Sequence, residues 1–94
     1  MTSYPVASHT DARSAKQLDG AEYTLDGVKI GAALVEMDIA LSGSPAKVVY
    51  SVQTYRNGKY NGCAPSDKFD RTSEGSARAF FAAGCASLAA RAGV

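Results

Sequence analysis

Tryptophan is absent from the 94 residues, histidine occurs once, and cysteine only twice, as Cys63 and Cys85 with 21 residues between them. One histidine and two separated cysteines cannot assemble a tetrahedral zinc set of the usual spacing. Two isolated cysteines without a secretory leader read as reduced thiols. Charge is also sparse: ten basic against nine acidic residues leave a net +1, too little for the field that drives nonspecific nucleic-acid or membrane binding. Positive charge leans to the C-terminal half, where residues 48–94 carry six basic and three acidic groups against four and six in residues 1–47. No segment reaches the ~18 apolar residues of a membrane span. The start, Met1 to His9, has neither the basic opening nor the apolar run of a secretory signal, so a cytoplasmic protein without membrane association is expected.

What is present fits one domain with a modest core, since a chain of this length buries roughly 60 to 65% of its unfolded surface. Residues 1–20 are weakly patterned, with Tyr4, Val6 and Leu18 as the bulky apolar side chains, and predict an arm or a short helix over 12–18, ahead of a single domain over 21–94. Asp26-Gly27 lies between the short apolar runs Tyr23-Thr24-Leu25 and Val28-Lys29-Ile30, a type I′ hairpin signal. From Val35 a period of two puts Val35, Met37, Ile39 and Leu41 on one face and Glu36, Asp38 and Ala40 on the other, as in a half-buried strand. A helix over Ala32 to Met37 competes with this reading, and Gly31 is a candidate bulge. Ser42 to Pro45 is a turn cluster. Val48 to Tyr55 is the clearest strand, and Asn57-Gly58 turns it back into a short strand over Lys59-Tyr60-Asn61. Gly62 and Pro65 then break the ladder.

A helix follows from about Ser73 to Ala92, capped by Thr72 or Ser73, begun by Glu74 and closed by Gly93. Its apolar stripe is Ala77, Phe80, Phe81, Gly84, Cys85, Leu88 and Ala92, and the small residues at 77, 84 and 85 predict close approach to the sheet. The expected fold is α+β: an antiparallel meander of three or four strands packed against one C-terminal helix.

Groups able to do chemistry are few. Cys63 with His9 could form a thiol and base pair, but His9 lies in the arm and Cys85 on the helix stripe, where a thiol acts as a small hydrophobe. Asp67 and Asp70, flanking Lys68-Phe69 and followed by Arg71, read as loop and helix-entry charges. No Gly-rich phosphate loop occurs. The sequence predicts a non-enzymatic protein with no cofactor and no metal site. Its candidate contact surface is the second hairpin tip, where Tyr55, Arg56, Lys59 and Tyr60 surround a tight turn, because Tyr and Arg bury large area at modest entropic cost. Tyr55 and Tyr60 also read as a plain cross-strand pair. Glu36 and Asp38, on the outward strand face, form a second, acidic candidate.

The run from Val48 to Tyr60, with its Asn57-Gly58-Lys59 hairpin and following Ala-rich helix, resembles the second half of a double-stranded-RNA-binding domain. That resemblance implies a nucleic-acid-binding module using Arg56 and Lys59. The chain as a whole, a small α+β meander with a Tyr-rich Asn-Gly hairpin and an Ala-rich terminal helix, is similar in style to the anti-CRISPR proteins of phages and mobile elements. This second resemblance implies a stoichiometric inhibitor that occupies a surface of a CRISPR effector, a larger protein complex, in a bacterial cytoplasm. A third expectation is a phage accessory protein that self-associates through a strand edge across a two-fold axis, with the oligomeric state open between monomer and homodimer.

Overall fold

A computed structural model describes residues 2–6, 12–39, 45, 47–63 and 73–93. Strands β1 (Ala12–Leu25), β2 (Val28–Ile39), β3 (Lys47–Arg56) and β4 (Lys59–Cys63) form one antiparallel sheet in the order β1-β2-β3-β4, followed by helix α1 (Glu74–Ala92). This is the predicted α+β meander with one C-terminal helix.

Both tight turns take the form that the sequence requires. Asp26 and Gly27 have φ of 50° and 80°, and Asn57 and Gly58 have 51° and 82°. Positive φ at both central residues is the type I′ signature, whose twist matches that of the strands it joins.

The N-terminal region differs from expectation. Residues 12–20, predicted as arm or short helix, belong to β1, so the boundary at residue 20 falls inside a strand. Two helical turns would be marginal alone, whereas β2 offers a partner along the whole segment, from Ala12 opposite Ile39 to Leu25 opposite Val28. The ladder slips at two places in β1, around Arg13 and Leu18, and Gly31 of β2 stays in register instead of forming the bulge.

β2 is the centre of the molecule, and it is not half-buried. Ala32, Ala33, Leu34, Val35, Met37 and Ile39 are all buried, because each face of the sheet is covered. On one face Ala32 and Leu34 of β2 and Tyr50 and Val52 of β3 pack with Ala77 and Phe81 of α1, supported by Leu18, Ala21, Phe80, Cys85 and Leu88. On the other, Ala33, Val35, Met37 and Ile39 join Val49 and Tyr55, with Tyr4, Val6 and Ala15 packed against them. The unbroken apolar run from Gly31 to Val35 is the mark of a strand covered on two sides.

Ser73 caps α1 by accepting from the Ser76 amide at 3.2 Å, and Gly93 closes it in the left-handed conformation at φ 75°. Glu74 in the first turn and Arg91 in the last complement the helix dipole. The predicted stripe meets the sheet at Ala77 and Phe81, but not at Gly84. A Cβ added there would find nothing within 4 Å, so this glycine borders open space instead of allowing close approach.

Candidate functional site

Strand pairing brings both turns to one end of the sheet, since Leu25 faces Val28, Ile30 faces Arg56, and Arg56 faces Lys59. The second tip is tied to β2 beyond the last strand pair. The Asn57 amide donates to the Lys29 carbonyl at 2.8 Å, and the Lys29 amide donates to Asn57 Oδ1 at 3.1 Å. Asn57 therefore supplies the turn's positive φ and also extends the β2–β3 ladder by one rung, which fixes where the neighbouring side chains project.

The four tip residues divide between two roles. Arg56 and Lys59 are exposed on the helix-bearing face, and Tyr60 is 42% exposed on the opposite one. Tyr55 is only 1% exposed and cannot itself touch a partner, a correction to its expected place in the contact surface. Its ring stacks on Tyr4 with centroids 4.3 Å apart and planes 11° from parallel, and meets Tyr60 edge-on at 6.0 Å. Its hydroxyl donates to Gln53 Oε1 at 2.8 Å, and the Gln53 amide reaches the Ser51 hydroxyl at 3.4 Å. Tyr55 is thus the buried anchor that supports the exposed Tyr60.

Tyr4 was not visible as a functional or structural residue from the sequence pattern. It lies over Gly31, the β2 residue paired with both Glu22 and Tyr55, and occupies the space that a side chain at 31 would fill. The Tyr4 hydroxyl donates to the Ala21 carbonyl at 3.3 Å or the Glu22 carboxylate at 3.2 Å. Gln17 clamps the arm from β1: its Oε1 accepts from the Tyr4 amide at 2.9 Å, while its Nε2 donates to the Thr2 carbonyl. The available signals were a single aromatic in a polar arm and a glycine inside a strand, which often marks close approach of another group.

Burial, with the Glu22 carboxylate alongside, pushes the Tyr4 phenol from 10.0 up to about 12. A raised folded-state pKa means that the folded protein favours protonated Tyr4. Its contribution is complete below pH 10 and is lost as pH rises from 10 toward 12. Denaturant melts across this range are expected to show a steeper loss of stability for the natural chain than for Tyr4→Phe, which has no phenol to ionise. Parallel pH profiles would show that Tyr4 titrates as it does in the unfolded chain.

Glu36 and Asp38 do not form a free acidic face. They lie on the helix-bearing side, half-buried, with Glu36 3.7 Å from Lys16 and Asp38 2.8 Å from Arg13, both from β1. The correction follows from β1 being longer than expected, which places Arg13 and Lys16 beside them. Near the start of α1, Tyr50 approaches Glu74 at 3.5 Å and Arg78 holds Glu74 at 2.7 Å. Burial and the carboxylates of Glu36 and Glu74 raise the Tyr50 phenol, while the Arg78 guanidinium lowers Glu74.

Among the described residues no cluster of three His, Cys, Asp or Glu side chains could hold a metal ion, and no helix is long and apolar enough to cross a membrane. Cys85 is a free, half-buried thiol raised by burial. His9, the side chain of Cys63, residues 42–44 of the turn cluster, Pro65, Asp67, Lys68, Asp70, Arg71 and Thr72 lie outside what can be described. Comparison with family models, curated proteins and solved structures gives no match to this chain.

Proposed function

We propose that the protein is a non-enzymatic binder that occupies a surface of a larger protein assembly in a bacterial cytoplasm, as an inhibitor of the anti-CRISPR kind. One observation carries the reading: Arg56, Lys59 and Tyr60 stand exposed on a turn fixed by Asn57 to Lys29, with Tyr60 braced from below by Tyr55. A preorganised tip loses little conformational freedom on binding, and Tyr with Arg is the pairing that most often dominates interface energy. A protein partner is favoured over nucleic acid because Arg13, Lys16 and Arg78 are each held by a carboxylate, which disperses the cations available to phosphates.

The deciding experiment is capture with the tagged full chain from a host carrying an active CRISPR system, with and without nuclease treatment. Effector subunits should be retained after nuclease and lost with the Arg56→Ala, Lys59→Ala, Tyr60→Ala triple variant, whose melting curve checks that it is folded. Recovery only through nuclease-sensitive material would replace this reading with the nucleic-acid-binding module. Self-capture alone would favour the homodimer.

A further inference from the structure

The helix does not cover its face of the sheet evenly. Leu18, Ala21 and Cys85 fill the side toward β1, whereas on the side toward β4 the helix presents Ala83, Gly84 and Ser87. These small residues leave an open groove of about 530 Å³, floored by Ile30, Ala32, Val52, Phe80 and Leu88. That volume lies within the roughly 300–1,000 Å³ typical of small-molecule sites, which are mainly apolar with a few placed polar groups.

The polar groups here are not scattered. Thr54, Asn61 and Ser87 line the groove, and Arg91 stands at the end where the turns lie. Arg56 follows Thr54 by two residues on the same face of β3 and pairs with Lys59 of β4. Among the described residues none of these three cations enters an ion pair, in contrast to Arg13, Lys16 and Arg78 at the other end. An apolar trough ending in positive charge that has no ion-pair partner among the described residues complements a ligand with an apolar body and one anionic head. Arg91 is placed for the head because a guanidinium offers carboxylate oxygens two parallel donors. Its place in the last turn also serves the helix dipole, but that role needs no groove beside it.

We propose that the groove between α1 and the β3–β4 edge binds a small amphipathic carboxylate, such as a medium-chain fatty acid, with the chain over Val52 and Leu88 and the carboxylate at Arg91. The groove itself is lined by Arg91 and not by the tip residues, although Arg56 and Lys59 beside its mouth also belong to the proposed tip contact, and ligand binding in the groove does not depend on that contact. The probe is decanoate below its micelle concentration, titrated into the isotope-labelled full chain and followed by amide chemical shifts. Saturable shifts are expected at Thr54, Asn61, Gly84, Ser87 and Arg91. Decanol, with the same chain and no charge, should bind about tenfold or more weakly, and Arg91→Gln should weaken decanoate by a similar factor, as for loss of a charge-assisted hydrogen bond. Gly84→Leu should abolish binding by filling the trough. Leucine is a better helix former than glycine, so the helix itself is not weakened, and an unchanged or raised melting temperature confirms the fold. Equal affinity for decanol and decanoate would overturn the carboxylate assignment. Undiminished binding to folded Gly84→Leu, or shifts that do not saturate, would overturn the site.

Discussion

Tyr55→Ala is expected to cost about 3–5 kcal/mol of stability, the range for removing a large aromatic side chain from a packed interior. Few substitutions in this chain should do more, because Tyr55 is 1% exposed and joins three parts of the fold. It stacks on Tyr4 from the arm, braces Tyr60 of β4 and donates its hydroxyl to Gln53 of β3. Typical domains hold only about 5–15 kcal/mol in total, so a chemical-denaturation midpoint should fall by a large fraction. Tyr55→Phe separates the contributions. It keeps the ring contacts and removes only the donor to Gln53 Oε1, with an expected loss of about 1–3 kcal/mol. A Tyr55→Ala midpoint within experimental error of the natural chain would show that the aromatic stack contributes nothing to stability. Any loss of partner binding by Tyr55 variants must therefore be measured against their folded fraction, whereas Tyr60→Ala tests contact more directly.

Gly31→Val should change sign with its background. A Cβ at residue 31 would overlap the Tyr4 hydroxyl and lie 2.5 Å from Cζ and 3.0 Å from Cε1, so the arm must leave its seat. Losing the half-buried Tyr4 ring and its stack on Tyr55 is expected to cost about 1–3 kcal/mol from apolar burial and ring geometry together. When Tyr4→Ala has already vacated the space, valine meets no such obstacle. It then brings a β-branched side chain to a strand position where glycine is entropically unfavourable, and the substitution becomes neutral or stabilising. Midpoints of the two single variants and the double variant form a complete cycle. Additive effects would mean that Gly31 and Tyr4 are independent, and the account of Gly31 as the seat of the arm would be wrong.

The meander was readable in the sequence because its signals are local. Asp26-Gly27 and Asn57-Gly58 set their turns through φ alone, and Ser73 and Gly93 set the helix ends. What escaped depends on residues distant in sequence. Nothing near Ala12 to Gly20 indicates that β2 will hold this stretch extended, and period-two reasoning cannot distinguish a strand covered on one face from one covered on both. Glu36 and Asp38 read as a solvent face in the sequence because their partners, Lys16 and Arg13, come from that same weakly patterned segment. The cluster at the second turn is legible because a hairpin gathers its own side chains, yet Tyr55 and Tyr60 are indistinguishable in the sequence until the position of Tyr4 separates the buried ring from the exposed one. The groove was hidden for another reason: Gly84 on an apolar stripe reads as a contact when it is a gap.

The order β1-β2-β3-β4, in which every strand lies beside its neighbour in sequence, also bears on how the molecule comes to be assembled in time. Two-residue turns close both hairpins with little loss of chain entropy, and such nearest-neighbour pairing is the topology that favours rapid folding. The arm follows the opposite schedule. Tyr4 precedes β1 in the chain, but its stacking partner belongs to β3, so this earlier segment takes its place only after all three of the strands that follow it exist. Until then the first hairpin stands with Ala33, Val35 and Met37 awaiting their cover, a short interval in which the nascent chain is most open to premature association.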